Sequence, residues 1–160
     1  MTIPAVGEVA PSFALPDATG TVHRLDDQRG RWTVVYFYPK DDTPGCTTEA
    51  CGFRDANAVL GERGADVWGI SPQGQKSKAA FIDKFGLTFP LLIDADHAVA
   101  EAYGSWVEKF NYGRPYLGVA RRTFLIDPDG RIAHVWEKVS PNGHADDVLG
   151  VLDGLRGTRP

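Results

Sequence analysis

The hydrophobic residues of this chain fall into short continuous runs that alternate with segments in which apolar positions recur at helical spacing. Residues 32–38 read WTVVYFY, a β-branched and aromatic run typical of a strand buried on both faces. Similar runs predict strands at 66–70 and 89–93. The helical period predicts helices at 47–63, 75–85, 98–103 and 144–155.

Two pairs of short segments predict β-hairpins. Residues 12–15 and 21–25 flank the polar turn PDATG, and residues 123–127 and 131–136 flank PDG. Strands that alternate with helices indicate an α/β fold with a central mixed β-sheet flanked by helices, extended by an N-terminal β-hairpin. A chain of 160 residues suits a single domain over residues 1–160 with enough mass to bury a core.

Composition and charge narrow the classes of function. The chain is 42% hydrophobic and 24% charged, which is ordinary for a globular protein, and its net charge of −4 argues against nucleic acid or an acidic membrane surface as partner. No apolar run predicts a transmembrane helix, and the opening MTIPAVGEVAPSF lacks the features of a signal peptide. We therefore expect a cytoplasmic protein, whose two cysteines are redox-active or metal-binding rather than a structural cross-link.

The first cysteine, Cys46, lies where a predicted buried strand gives way to a helix through residues 39–45. The first turn of a helix carries unpaired N–H groups and a partial positive charge, which favour a thiolate. Since a helix terminus stabilises a nearby charge by ~2 kcal/mol at most, we expect an additional cation close to the sulfur. The alternative is that Cys46 is a small buried hydrophobic residue.

The second cysteine, Cys51, lies five residues further along the same predicted helix. On an ideal helix this offset is about 7.5 Å of rise and about 140° of rotation, so the two Cα atoms are roughly 8.5 Å apart. A disulfide fails beyond about 7 Å unless the backbone moves. A Cys46–Cys51 bridge therefore requires the first turns to unwind. One helix face carries Cys46, Ala50, Phe53 and Leu60, and Cys51 points away from it.

A metal site is not favoured by the spacing of the possible ligands. Zinc sites use about four converging ligands, whereas the histidines are scattered along the chain and none is grouped with the cysteines. We expect each of them to be a surface or turn residue: His23, His97, His134 and His144.

The residues around the cysteines resemble the active-site segment of the peroxiredoxins. The stretch PKDDTPGCTTEACGFRD places Pro39, Thr43 and Cys46 in a Pro-x3-Thr-x2-Cys arrangement. The short chain and its Cys-x4-Cys spacing are similar to the bacterioferritin comigratory protein, or peroxiredoxin Q, subgroup. The resemblance covers nearly the whole chain, through GEVAPSFALPDATG, VVYFYPK, YGSW and GVARRTFLIDPDGRI.

This resemblance implies a thioredoxin-like fold and a thiol peroxidase that acts on hydrogen peroxide and organic hydroperoxides. Cys46 would be the peroxidatic cysteine, oxidised to a sulfenic acid, and Cys51 the resolving cysteine that condenses with it into an intramolecular disulfide. An external dithiol, in this family usually thioredoxin, would reduce the bridge. The resemblance implies no metal, flavin or haem, and it favours a monomer.

The resemblance also implies roles for neighbouring residues. Thr43 and the amides of Gly45 and Cys46 would stabilise negative charge on the leaving oxygen; the alternative for Thr43 is an ordinary loop or helix-cap residue. Pro39 would shield the thiolate, a role compatible with a proline that ends a strand. These residues come directly before the helix that carries both cysteines.

An arginine is the expected cation, and two are adjacent in the sequence. Arg121 lies three residues before Phe124, at the family position, and neighbouring strand residues point to opposite faces, so only one of Arg121 and Arg122 can reach the sulfur. Glu49 matches a glutamate that orients the arginine; the alternative is a solvated carboxylate at the helix start.

Other interpretations remain open at this point. A dithiol–disulfide oxidoreductase acting on proteins favours Cys-x2-Cys, which is absent, and a copper chaperone needs a closely spaced cysteine pair with a partnered histidine. A non-enzymatic peroxide sensor or redox-regulated chaperone on the same fold stays a candidate. Four aromatic residues can either line an apolar collar around the pocket or belong to the core or surface: Trp106, Phe110, Tyr112 and Tyr116.

Overall fold

A five-stranded mixed sheet forms the centre of the computed structural model, which describes residues 2–158. The spatial order of its strands is β5 (Leu91–Ile93), β4 (Ala65–Ser71), β3 (Trp32–Phe37), β8 (Arg122–Ile126) and β9 (Ile132–Trp136). Strands β3, β4 and β5 are parallel, and β8 runs antiparallel to both β3 and β9. The predicted central mixed sheet is confirmed.

Helices cover both faces of this sheet. Helices α1 (Pro44–Glu62), α2 (Gln75–Phe85) and α4 (His144–Thr158) contribute apolar side chains to the core on one face. The short helix α3 (Ala98–Ala102) packs on the other face together with the N-terminal segment. Within residues 2–158 no helix is both long and apolar enough to cross a bilayer.

Strand β3 divides its side chains between the two cores, as the continuous apolar run predicted. All six residues are buried, with Val34 and Tyr36 in the core beneath α1 and Val35 and Phe37 in the opposite core. A strand buried on both faces in the middle of a sheet is a rigid support. The loop that precedes α1 begins at its carboxyl end.

The predicted N-terminal hairpin is also present. Strands β1 (Ala14–Pro16) and β2 (Val22–Arg24) pair antiparallel, and a 3-10 turn at Leu25–Gln28 follows. A single bridge between Asp17 and Leu92 connects the hairpin to the edge of the main sheet. The hairpin is therefore an extension of the sheet layer.

A second hairpin, formed by β6 (Trp106–Asn111) and β7 (Arg114–Val119), was missed by the sequence analysis. Its turn residues Tyr112 and Gly113 have positive φ angles of 51° and 78°, which suits a tight two-residue hairpin turn. Pro115 lies in β7, where a proline is tolerated because β7 is an edge strand of a two-stranded ribbon.

The four aromatic residues proposed for an apolar collar all lie on or at the turn of this hairpin. Phe110, Tyr112 and Tyr116 are exposed, so they are surface aromatics. Trp106 is half-buried and its ring stacks on His97 with a centroid distance of 3.8 Å.

Helix α1 begins at Pro44, three residues before the predicted start. The helix includes Pro44 and Gly45 because proline at the first helical position has a suitable fixed φ and lacks only an N–H that has no partner there. Cys46 is therefore inside the first turn of the helix.

Candidate active site

The N-terminus of α1 supplies the backbone around Cys46. Thr43 is the N-cap residue and Pro44 the first helical residue, but within the described chain the Thr43 side chain makes no capping bond. Its hydroxyl donates instead to the carbonyl oxygen of Lys40 at 3.0 Å. Because first-turn N–H groups have no carbonyl four residues earlier in the helix, the amides of Gly45 and Cys46 are left available as donors.

Cys46 is buried and in direct contact with a cation. Its sulfur accepts a hydrogen bond from Arg121 Nη2 at 3.3 Å. Arg121 directly precedes β8, whereas its neighbour Arg122 donates to the carbonyl oxygen of Gly104 at 2.8 Å. The two guanidinium groups thus lie in different places, as expected for adjacent residues of an extended chain.

The absence of a side chain at position 45 permits this contact. A Cβ atom on Gly45 would lie 3.1 Å from Arg121 Nη2 and 3.5 Å from Pro141 Cγ. A side chain here would require the Arg121 guanidinium to shift by a few tenths of an ångström. Glycine therefore leaves room for the close approach of Arg121 to the sulfur.

Glu49 completes the charged group around the sulfur. Its Oε1 accepts from Arg121 Nη1 at 2.8 Å, and the side chain is buried, so the interpretation of Glu49 as a solvated carboxylate is wrong. Burial raises the pKa of Glu49 to about 7, although Arg121 opposes the rise. Oε2 has no hydrogen-bond partner in the described part of the chain. Negative charge on Glu49 is thus disfavoured, and the Arg121 charge stays available to the Cys46 sulfur.

The two cysteines differ in exposure as the helix pattern predicted. Cys46 shares a buried face with Ala50, Phe53 and Leu60, whereas Cys51 is half-buried. Both are free thiols. One sulfur faces the charged group and the other lies one and a half turns further along α1.

The segment that holds both cysteines has a low helix propensity and is followed directly by a fully buried aromatic residue. Residues 44–52 read PGCTTEACG, which includes two glycines and two threonines, all poor helix formers. Phe53 comes next, and its ring is fully buried and stacks on Tyr36 at a centroid distance of 4.8 Å. Unwinding of residues 46–51 would move the small buried side chains of Cys46 and Ala50, while Phe53 and Leu60 keep the rest of α1 packed in the core.

One histidine contradicts the expectation that all four are surface or turn residues. His144, the first residue of α4, is buried and its ring nitrogen bonds Thr123 Oγ1 at 2.8 Å. Burial lowers the pKa of His144 to about 4, a shift that Asp147 opposes and Arg121 reinforces. His144 is a neutral core residue that ties α4 to β8 beside the site.

We predict that His144 makes the protein sensitive to acid. In the unfolded chain it gains a proton below about pH 6.5, but in the folded protein only below about pH 4. Falling pH therefore favours unfolding across that window, by up to roughly 3 kcal/mol at ~1.36 kcal/mol per pKa unit. Urea unfolding should show that the free energy of unfolding falls more between pH 7 and pH 4 in the wild type than in His144→Gln, whose side chain cannot titrate.

The raised pKa of Glu49 acts with the opposite sign between pH 4.5 and about 7, because there the folded state holds the extra proton. Glu49 is present in both the wild type and His144→Gln, so its contribution cancels when the two proteins are compared. The same pH dependence in wild type and His144→Gln would show that His144 does not titrate as stated.

Sequence reasoning also missed a buried polar group under the loop before α1. Lys78 of α2 and Asp41 of the loop form an ion pair with side-chain exposures of 0% and 2%. The available signal was the position of Lys78, three residues before Phe81 on the buried face of α2. Pro39 lies next to this group, and its carbonyl oxygen accepts from Gln73 Nε2 at 3.1 Å.

Metal ligation is not supported by the arrangement of side chains. No cluster of three or more histidine, cysteine, aspartate or glutamate residues suited to a metal ion occurs among the residues that the structure describes. Around Cys46, the interactions are hydrogen bonds and charge pairs.

Comparison with known proteins identifies the family. The profile of the AhpC/TSA family matches residues 6–135. A putative peroxiredoxin bcp of Coxiella burnetii is 49% identical over 147 residues, covering 92% of this chain and 97% of the relative.

Two solved structures have the same fold over nearly the whole chain. The Xylella fastidiosa PrxQ cysteine-to-serine mutant has a TM-score of 0.92 at 34% identity and covers 98% of this chain and 99% of its own. The Xanthomonas campestris bacterioferritin comigratory protein has a TM-score of 0.88 at 38% identity and covers 94% and 99%. The expected thioredoxin-like fold is confirmed. With its two cysteines and this close likeness, the chain belongs to the Bcp/PrxQ peroxiredoxins of the AhpC/TSA family, which are thiol-dependent peroxidases.

Proposed function

We propose that Cys46 is the sulfur that reduces the hydroperoxide and that Cys51 resolves the product. The observation that carries this assignment is the 3.3 Å contact between Arg121 and the buried Cys46 sulfur in the first turn of α1. A positive guanidinium and a helix N-terminus both favour negative charge on that sulfur. Cys51 is half-buried and lies on the more exposed face of the helix.

In the first step the Cys46 thiolate attacks the terminal oxygen of the hydroperoxide. The S–O bond forms as the O–O bond breaks, the sulfur is oxidised to a sulfenic acid, and the leaving oxygen takes a proton and departs as water or alcohol. Charge moves from sulfur to the leaving oxygen. Arg121 and the free amides of Gly45 and Cys46 supply donors where this charge develops.

Thr43 and Pro39 have supporting roles in this proposal. The Thr43 hydroxyl already donates to Lys40 O, so its oxygen can accept a hydrogen bond from the O–H of a bound hydroperoxide. Pro39 follows β3 and leads into the loop, where its ring excludes water from the approach to the sulfur.

In the second step Cys51 attacks the Cys46 sulfenic acid, water leaves, and an intramolecular disulfide forms. The helix must unwind over residues 46–51, since the ideal Cα separation of roughly 8.5 Å exceeds the limit of about 7 Å for a disulfide. A dithiol protein, thioredoxin, then reduces the bridge by exchange. The protein acts as a cytoplasmic monomer with one domain over residues 1–160, which suits an intramolecular pair.

The substrates in this proposal are hydrogen peroxide and organic hydroperoxides. The Xanthomonas structure is described in terms of alkyl peroxide reduction activity, which supports the second class for this chain. No metal, flavin or haem takes part, because the sulfur supplies both electrons.

Repeated turnover with thioredoxin, thioredoxin reductase and NADPH tests this function. We expect each protein molecule to consume many equivalents of hydrogen peroxide, with NADPH oxidation in step. Consumption that stops near one equivalent would instead indicate a peroxide sensor.

We predict that Arg121→Ala slows oxidation of Cys46 by about 10²- to 10³-fold, the usual cost of removing one donor to developing charge. Arg122→Ala is the matched control, since its guanidinium bonds Gly104 O, and it should change the rate by no more than a few-fold. Stopped-flow mixing of the reduced proteins with hydrogen peroxide measures the second-order rate constant. If Arg122→Ala lowered the rate constant more than Arg121→Ala, Arg122 would be the residue that assists peroxide attack.

A further inference from the structure

Lys78 is a charged side chain buried completely inside the protein. It lies in the first turn of α2, and its ammonium group donates to the hydroxyls of Ser71 and Tyr38. Its Nζ is 3.3 Å from Asp41 Oδ1. Since a buried ammonium without a counter-charge is strongly disfavoured, Asp41 is what allows Lys78 to stay charged there.

Asp41 belongs to the loop that leads into α1, and both of its carboxylate oxygens are bonded. Oδ1 accepts from the hydroxyl of Tyr38 and from Lys78, and Oδ2 accepts from Ser77 Oγ at 2.8 Å and from Lys78 at 3.4 Å. The backbone N–H of Asp41 donates to Gln73 Oε1 at 3.1 Å. The loop is thus fixed to the end of β3 and to α2 through one carboxylate.

Gln73 extends this network to Pro39. Its Oε1 accepts from Ser71 Oγ at 2.8 Å, and its Nε2 donates to the Pro39 carbonyl oxygen at 3.1 Å. Residues 39–41 are therefore tied at both ends to Gln73, which follows β4, only a few residues before Cys46.

The ion pair also lies within electrostatic reach of the reactive sulfur. Burial lowers the pKa of Lys78 to about 8, while negative charge on Asp41 and on Cys46 opposes the shift. At pH 7 the ammonium form therefore predominates. The ammonium group contacts Tyr38 and Asp41 of the segment before α1 and Ser71 of β4, and Cys46 of α1 acts on it through its charge alone.

We infer that the Lys78–Asp41 ion pair anchors the loop at residues 39–42 and thereby holds the first turn of α1 wound, which makes Lys78 and Asp41 positioning residues for Cys46. This inference rests on the proposed function of Cys46 and Cys51. The two halves of that cycle need opposite conformations. Peroxide attack needs the wound turn that meets Arg121, and disulfide formation needs the unwound one.

Loss of the anchor should therefore change the two steps in opposite directions. Without it the loop moves, the wound turn is less populated, and the sulfur meets its donors less often. The unwound segment is more populated, so Cys51 reaches the sulfenic acid sooner. A residue that served only global stability would leave both rates unchanged at temperatures where the protein is folded.

The double variant Asp41→Asn with Lys78→Met tests this inference, because it removes both buried charges and leaves neither unpaired. The matched control is Asp42→Asn with Lys84→Met, which removes an exposed ion pair of 2.9 Å between the same loop and the same helix. The first measurement is amide hydrogen exchange of the reduced wild type and both double variants at pH 7. We expect faster exchange confined to residues 40–51 in the buried-pair variant and no change in the control.

The kinetic expectation is a peroxide step slowed by about 10- to 100-fold and a disulfide step accelerated by about two- to tenfold, each relative to the control. Unchanged exchange at residues 40–51, or exchange that rises equally through the central sheet, overturns the inference, as do control-like rates in both steps. A wild type that consumes no peroxide refutes the proposed function instead, and the exchange comparison still decides whether the anchor exists.

Discussion

Cys46→Ser is expected to abolish peroxide consumption. A serine hydroxyl in the same place stays protonated near neutral pH and its oxygen does not attack the O–O bond, so Arg121 and the free amides have no nucleophile to assist. The substitution replaces one small buried atom by another, so the fold should persist. Rapid mixing of the reduced variant with hydrogen peroxide should show no oxidation step, and the thioredoxin-coupled assay should show no NADPH use above background.

Thermal unfolding of the same sample is the control for this variant. Peroxide consumption close to that of the wild type would refute the assignment of Cys46 and would direct attention to Cys51. Because the chain has only two cysteines, the pair of single variants covers every thiol.

Cys51→Ser is expected to separate the first turnover from the rest of the cycle. Cys46 keeps its contact with Arg121 in this variant, so one equivalent of peroxide should be consumed at about the normal rate. The sulfenic acid then has no internal partner, and cycling with thioredoxin should stall. A sulfenic acid probe should label the protein after one equivalent of peroxide, and excess peroxide should drive it to sulfinic acid.

The thioredoxin-coupled assay also defines the result that would contradict this prediction. Normal thioredoxin-linked turnover by Cys51→Ser would show that the reductant attacks the sulfenic acid directly, and the resolving role of Cys51 would be wrong. A slow first turnover would show that Cys51 contributes to peroxide attack as well.

The main elements of the fold were predictable because their periodicity is strong. The run at 32–38 could only be buried on both faces, and β3 is buried at every position. Helix α2 was predicted with its observed ends, since Gly86 adopts the left-handed conformation that ends a helix. The hairpin of β6 and β7 was not predictable in the same way, because Phe110, Tyr116 and Leu117 are exposed and the apolar positions do not alternate regularly with polar ones.

The candidate site was predictable only in part, for a different reason. Helix position placed Cys46 on the buried face, and strand alternation separated Arg121 from Arg122. Lys78 and His144 are buried polar residues whose partners, Asp41 and Thr123, lie 37 and 21 positions away in the chain. Nothing local in the sequence signals a pairing over such distances, since the sheet topology decides it.

Proteolysis followed by mass spectrometry tests directly whether Cys46 and Cys51 form a disulfide after oxidation. Glu49 is the one glutamate between them, so a protease that cuts after glutamate separates the two cysteines into different peptides. The reduced protein should be treated with one equivalent of hydrogen peroxide, alkylated, digested and measured by mass spectrometry. We expect the two peptides to be linked, with the loss of two hydrogen atoms and no alkylation at either sulfur. Two separate peptides, both alkylated as free thiols, would contradict the proposed chemistry of this site.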